Sequence, residues 1–312
     1  MFRARRVRAR IPELRRKRLL CPGRRRPDLC AVTTVGIDVG GTKVLGATVH
    51  FPSGRVLQSG GFETRPTRGG RAVLAQTVTL AEQLVGGRED VAIGVGLCEL
   101  VGRDGQIGSA ATIDWQDSDV VGAFSHLGPV CLESDVRAAA LAEARIGAGR
   151  EYNTFIYLSV GTGISYSLVI DGAPYVGENG WAIIVGAPCV ELVASGRALE
   201  RASGLTRAKD VVQSDAYACL TQAATDALGA ALAALVNALD PAAVVIGGGL
   251  GLNAHYRAAA TAAARKRIEH PNRATLPIVP AVCGPNAGVI GAAMVANERY
   301  PPAAVGALSA KR

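Results

Sequence analysis

The sequence predicts an α/β fold built from two related halves, and two observations carry that prediction. Apolar strands alternate with longer helical runs from about residue 31 to 298, the pattern of helices layered on sheets. One unit (strand, Gly/Thr turn, strand, Gly-containing turn, strand) also occurs twice, its glycine turns at 40–41 and 161–163 lying 121 positions apart. Such an internal repeat points to two related domains, each with a hairpin able to face a phosphate. A third glycine turn, at 247–249, also follows an apolar strand.

The first unit opens with Val35, Ile37 and Val39 alternating with Gly36 and Asp38, which is the period of a strand. Gly40-Gly41 reverses the chain, Thr42 and Lys43 follow, and an apolar run resumes to about Val49. An acid before a glycine turn that carries a hydroxyl and exposed amides suits a phosphate and its magnesium ion. An ordinary Gly-Gly hairpin has the same local pattern. Pro52-Ser53-Gly54 turns into a third strand, 55–58, and residues 71–86 read as a helix with Val73, Leu74, Val78, Leu80, Leu84 and Val85 on its apolar side. A buried strand over 91–96 and a turn at Gly105 follow, then Thr112-Ile113-Asp114-Trp115 leads to a second helix. The strand Val130-Cys131-Leu132 delivers Glu133-Ser134-Asp135 to its C-terminal end, where a helix begins over 136–148.

The second unit repeats the first: strand 154–160, turn 161–163, strand 164–170, the hairpin turn Asp171-Gly172, then Ala173-Pro174-Tyr175. Helices are expected at about 191–203 and 215–239, the latter stopped by Asp240-Pro241. Strand 243–246 ends in Gly247-Gly248-Gly249. A helix over 253–269, a short strand over 278–280 and a final helix over 286–297 complete the pattern, and the end of the chain looks frayed.

Composition bounds the function. Of 312 residues, 49% are hydrophobic and 19% charged, enough for a large core. The net charge of +8 is misplaced as a clue, because residues 1–30 hold twelve Arg and Lys against Glu13 and Asp28. The remainder carries 22 basic and 24 acidic residues, so the folded body is slightly acidic. A basic tail suits nucleic acid or an anionic membrane. It equally suits an unselected extension from an upstream start codon, which is the expectation here. The tail lacks the apolar core of a secretory signal, and no apolar run is expected to approach the ~20 residues of a membrane span. Cys21, Cys30, Cys98, Cys131, Cys189, Cys219 and Cys283 are scattered, odd in number and without C-x-x-C spacing. Free thiols are expected, and no zinc.

One glycine turn after a strand is common; three in this order, with Asp38 and Asp135 at strand ends, are specific. Ligands in open α/β sheets sit beyond the carboxyl ends of strands. Asp38-x-Gly40-Gly41-Thr42-Lys43, then Asp135 opening an Ala-rich helix that runs to Glu143, then Leu158-Ser159-Val160-Gly161-Thr162-Gly163-Ile164, then Asn237-Ala238-Leu239-Asp240-Pro241 with Gly247-Gly248-Gly249 resemble the ROK family of repressors and kinases, within the actin-like, hexokinase-like ATPase superfamily. The resemblance covers roughly residues 33–297.

It implies two RNase-H-like domains, 31–133 and 134–298, around a cleft, between a disordered segment 1–30 and a tail 299–312, with the last helix packing back on the first domain. It implies Mg-ATP on one wall of the cleft and a sugar on the other. Asp38 would hold magnesium through water. Gly40, Gly41 and Thr42, with Gly161, Thr162 and Gly163, would hold the phosphates, and Gly247, Gly248 and Gly249 would lie against the adenosine. Lys43 matches a phosphate-loop position, although Asp38 or Glu178 is also a structural partner for it. Asp135 would be the general base for in-line attack of a hydroxyl on the γ-phosphorus; an Asp here is also a common helix cap. A cytoplasmic homodimer, with no nucleic-acid or membrane partner, is the family's implication.

The sequence departs from that pattern on the acceptor side. Cys98-Glu99 stand in the register of a Pro-Gly pair, Thr112 where an Asn precedes the Trp-containing helix, and Ser134 where an Asn precedes the catalytic Asp. The Gly-Glu-x-Gly-His segment aligns with Ile183-Ile184-Val185-Gly186-Ala187, and of the zinc loop only Cys189 and Glu191 are matched. One thiol and no histidine cannot make a structural zinc site. The acceptor groups expected in this chain are Glu99, Thr112, Ser134, Asp135 and Glu191, with Tyr166 and Trp181 either beside them or in the core. Loss of hydroxyl partners changes which acceptor binds. A sugar-like polyol is expected, of the C7-cyclitol type, with a hexose or N-acetylhexosamine as the alternative. A ROK regulator needs a helix-turn-helix, and Pro12, Pro22 and Pro27 break any such pattern in the first thirty residues.

Overall fold

The computed structural model describes residues 32–65, 69–88, 91–116, 118–185, 188–269 and 275–301. The basic segment 1–30, Gly186-Ala187, the side chain of Cys189 and the tail beyond 301 lie outside the described residues.

The opening hairpin forms as β1 (Val32–Val39) and β2 (Lys43–Phe51), and the antiparallel run continues through β3 (Arg55–Glu63). Strands β4 (Ile93–Leu97) and β5 (Val130–Ser134) add in parallel on the other side of β1, giving the order β3-β2-β1-β4-β5. The second sheet repeats this plan. Strands β6 (Thr154–Val160), β7 (Ile164–Ile170) and β8 (Ala173–Pro174) run antiparallel, and β9 (Ala243–Gly247) and β10 (Ile278–Pro280) add in parallel beside β6, giving β10-β9-β6-β7-β8. Hairpin β1–β2 closes at the pair Val39–Val44 and hairpin β6–β7 at Val160–Ile164. The repeat read in the sequence is thus a repeat of topology, and the two sheets have the actin-like, RNase-H-like order.

Helix α1 (Gly70–Val85) covers one face of the first sheet and buries Val73, Leu74, Leu80 and Leu84. Burying a leucine as fully as Leu84 contributes roughly 1.5–3 kcal/mol. Helix α2 (Val120–Ala123) is a single turn, capped by Asp119 Oδ1 on the Gly122 amide at 2.8 Å. Helix α3 (Asp135–Ile146) packs on β7 and β8 and against α9 (Ala287–Arg299), which lies on β1 and β4 of the first sheet. On the far side of the second sheet sit α4 (Pro188–Ala194), α5 (Gly196–Ser203), α6 (Ala208–Val212), α7 (Ala218–Leu239) and α8 (Ala254–Arg265). There Leu199, Leu228, Leu232, Val236 and Tyr256 form one core with Ile156, Leu158 and Ile246 of the sheet.

Several boundaries differ from the pattern-based expectation: the third strand, expected over 55–58, runs on to Glu63, and the strand expected over 91–96 spans Ile93–Leu97. The helix expected over 191–203 is broken at Ser195, which is extended (φ −77°, ψ 160°) and caps α5 through its hydroxyl on the Ala198 amide at 3.2 Å. The freed carbonyl of Ala194 accepts from the Tyr256 hydroxyl at 2.7 Å. The helix expected to run to 269 stops at Arg265, and the stretch after Trp115 holds only the one turn of α2. The helix expected over 215–239 forms as α7, and with the 3-10 turn before it Asp215–Leu239 is long and apolar enough to cross a membrane, which the search for apolar runs did not show. Its Leu228, Leu232 and Val236 face α8 and the core instead.

Candidate active site

The two hairpin turns meet. The Thr42 and Thr162 hydroxyls lie 2.8 Å apart across 120 residues of sequence. The first turn is closed by the Gly40 amide on the Lys43 carbonyl at 3.0 Å. It is braced from the end of β3 by Thr64, whose hydroxyl donates to the Gly40 carbonyl at 2.7 Å and whose amide donates to the Thr42 carbonyl at 2.9 Å. The second turn is closed by the Gly161 amide on the Gly163 carbonyl at 2.9 Å. Its own carbonyls are taken by the start of α5, Gly196 donating to Gly161 at 2.7 Å and Arg197 to Thr162 at 3.3 Å. Among the described residues the amides of Gly41, Thr42, Thr162 and Gly163 donate to no protein group. Unpaired turn amides converging in this way form a nest for an anion.

The third glycine turn lies beside the second. The amides of Leu250 and Gly251 donate to the Val160 carbonyl at 3.0 and 2.9 Å, and a Cβ built on Gly161 would stand 3.9 Å from the Gly249 nitrogen. The backbone of 247–249 therefore passes along the flank of the nest.

Asp38 is the penultimate residue of β1 and Asp135 the first of α3, so both emerge at strand ends on the turn side of the first sheet. Burial pushes Asp38 up to about 6, with the Lys43 ammonium pulling the other way. Burial, and then the Asp38 charge, push Asp135 up to about 7, while the Val136 amide lowers it, the Glu99 charge raises it and Arg137 lowers it. The same groups act on Cys98, whose thiol is pushed well above its usual range by burial and then by Asp135, Glu99 and Asp38, against a hydrogen bond with Thr112. Asp135 is not the cap of its helix: that position is Ser134, which makes no capping bond. One carboxylate oxygen of Asp135, Oδ1, accepts from the Val136 amide at 2.6 Å, and Oδ2 accepts from nothing among the described residues. Lys43 is exposed and forms no ion pair among them.

On the facing wall, Glu99 is 3% exposed. Its carboxylate accepts from the Ser109 hydroxyl and from the amides of Ala111 at 2.9 Å, Thr112 at 2.7 Å and Ile113 at 2.9 Å. Glu99 thus holds the loop that carries Thr112, and Thr112 in turn touches the first turn: a Cβ on Gly41 would meet its Cγ2 at 2.6 Å. Only glycine lets the turn and the loop approach so closely. Ser134 is fully buried and its hydroxyl has no partner. Glu191, on α4, accepts from the Ile164 amide at 2.8 Å, directly after the second turn. Arg137 is buried; it pairs with Glu133 at 2.7 Å and donates to the carbonyls of Gly180 and of Val101, the latter at 2.6 Å. It pins the segment that carries Trp181 and Ile184, which stand 49% and 59% exposed. Trp181 lies against Gly108, and Ile184 bridges Ser165. Tyr166 packs on the second-sheet core.

The structure therefore gathers Asp38, the turns 40–43 and 161–163, Thr112 and Asp135, sets exposed Glu191 against the second turn, 3.0 Å from the position of a Cβ on Gly163, sets 247–249 on its flank, and buries Glu99 and Ser134 behind other groups. Thr64 and Arg197 escaped the sequence reading. Threonine after a strand and arginine in a helix are too common to signal anything without the contacts. A cavity of about 660 Å³ walled by Gln106, Ser109, Trp115, Val120 and Leu132 holds none of the acids or turns.

A model of the ROK family matches residues 34–299. Glucokinase from Streptomyces coelicolor is 27% identical, over 86% of this chain and 98% of that protein. N-acetylgalactosamine kinase from a Shewanella species is 30% identical, over 69% of this chain and 81% of that protein. Of solved structures, the ROK hexokinase from Thermus thermophilus superposes with a TM-score of 0.69 at 30% identity, covering 86% of this chain and 99% of that one.

Proposed function

The chain belongs to the ROK family, and on that premise we propose that it is an ATP-dependent kinase acting on a hydroxyl of a sugar-like polyol. The observation that carries the reading is the 2.8 Å approach of Thr42 to Thr162, which puts two nests of free amides together with Asp38 and Asp135 close behind them. The relatives named glucokinase, N-acetylgalactosamine kinase and hexokinase support the same class.

The amides of Gly41, Thr42, Thr162 and Gly163 bind and orient the phosphates, and the backbone at 247–249 accommodates the nucleoside. A magnesium ion fits this site. No three His, Cys, Asp or Glu side chains cluster among the described residues. Asp38 would hold such a cation through water, with phosphate oxygens as its other partners, which suits magnesium. When bound, it neutralises phosphate charge. Asp135 is the base: Oδ1 is tied to Val136, so Oδ2 takes the hydroxyl proton as that oxygen forms its bond to the γ-phosphorus. The bond from phosphorus to the β-phosphate oxygen breaks, and its electron pair leaves on ADP. A base in such contact contributes roughly 10²–10⁴-fold. Holding Asp135 near neutrality by burial suits that task.

For the acceptor we favour a C7-cyclitol. Exposed Ile184 and Trp181 give the facing wall an apolar edge where the family pattern has a glutamate, and Glu99, buried under four donors, offers no free oxygen to a substrate. The relatives' names favour a hexose or N-acetylhexosamine. An ATP-consumption assay with hexoses, N-acetylhexosamines and C7-cyclitols side by side separates the two. Turnover of glucose alone refutes the cyclitol, and turnover of none refutes the kinase.

A further inference from the structure

Helix α5 starts on the second turn. The Gly196 amide is 2.7 Å from the Gly161 carbonyl, and a Cβ on Gly196 would stand 2.8 Å from the same oxygen, so the helix can seat this deeply only from a glycine. The next residue, Arg197, anchors its own amide on Thr162. Its side chain then crosses to the other turn, and Nη2 stands 3.5 Å from the position a Cβ would take on Gly41. The guanidinium thus touches the first nest from a backbone fixed to the second.

Among the described residues nothing pairs with the charge of Arg197. Its side chain is exposed and makes no ion pair or hydrogen bond among the described residues. Five donors on a planar fork that bonds no protein acceptor among the described residues, at the junction of two amide nests, match the oxygens of a polyphosphate. We propose that Arg197 contacts the β- and γ-phosphates of the nucleotide and neutralises charge on the phosphoryl group in transfer. The proposal rests on the kinase reading and adds to it a residue outside the glycine turns.

The test compares wild type with Arg197→Met and Arg197→Lys. Melting temperature is used as the control for folding, since the side chain touches no core group. Two readouts are needed: affinity for AMPPNP against affinity for AMP, and kcat with the best acceptor. Arg197→Met should weaken AMPPNP on the order of 10–100-fold and leave AMP within twofold. It should lower kcat by roughly 10²–10³-fold, as removal of one transition-state donor does, with the acceptor KM within threefold. Arg197→Lys should recover part of both losses. Equal effects on AMPPNP and AMP, or no effect on either, overturn the proposal, as does kcat within threefold of wild type. If the wild type phosphorylates no acceptor, the kinase reading fails by itself, and the AMPPNP-to-AMP ratio still judges Arg197.

Discussion

The two walls of the site are made of different material. The turn wall, at 40–43 and 161–163, is backbone: its donors are amides, and the groups that brace it are mostly carbonyls and amides too. The facing wall, at 99–113 and 180–191, is side chain: Glu99 holds one loop and Arg137 the other, each through a buried charge given several partners. Amides are present whatever the side chain, so glycine spacing alone builds the first wall. The second depends on a few residues whose replacement reshapes it. On the proposed reading the turn wall meets a phosphate, which is the same in every kinase, and the facing wall meets the acceptor, which is not.

The contrast can be broken hardest at Asp135, the side chain proposed as the base. Asp135→Asn should lower kcat by about 10³-fold or more with AMPPNP affinity kept. A drop of less than tenfold in steady-state kcat would remove Asp135 as the base. The same variant should be the more stable protein, because it deletes a charge that burial disfavours.

Next comes the seam between the walls. Gly41→Ala drives a methyl into Thr112 Cγ2 and should cut kcat/KM for ATP by about 10–100-fold. Thr112→Ser removes that methyl, so the double variant should regain most of the loss. Additive losses in the cycle would show that the two residues do not touch in solution.

A smaller effect is expected at Glu99. Glu99→Gln turns an acceptor of four donors into a group with two donors of its own, so buried amides lose partners at about 1–3 kcal/mol. Thermal unfolding should register the loss, and KM for the acceptor should rise while KM for ATP holds. Equal rises in both would mean that Glu99 does not serve one wall alone.

The subtlest prediction is in pH. The folded pKa of Asp135, about 7, exceeds the unfolded value of 3.8. Between those limits the folded state binds the extra proton, so stability from this group is fully present below pH 4 and falls as pH rises through 7. The melting temperature of Asp135→Asn should therefore exceed that of the wild type by a margin that widens from pH 5 to pH 8, without nucleotide or magnesium. A margin independent of pH would show that the carboxyl is not held up by burial.

These walls were unequally legible. Glycines after apolar strands announce turns, and an acid at a strand end announces chemistry, so Asp38, Asp135 and the three turns could be found from spacing. The topology followed, because β1–β2 and β6–β7 share one local code. Nothing local reveals that Glu99 lies under three amides of a loop 12 to 14 residues on, that Thr64 braces the first turn, or that Ser195 must interrupt a helix so that Gly196 reaches Gly161. Each is settled by a partner distant in sequence, and a helical periodicity through 191–203 hides the break that positions Arg197.

The hydroxyl pair Thr42–Thr162 works as a latch. It ties two hairpins that lie 120 residues apart in sequence, and a neutral hydrogen bond of this kind contributes only about 0.5–1.5 kcal/mol. On the proposed reading, a triphosphate would exchange that single bond for one to each threonine, so unlatching would cost the nucleotide little.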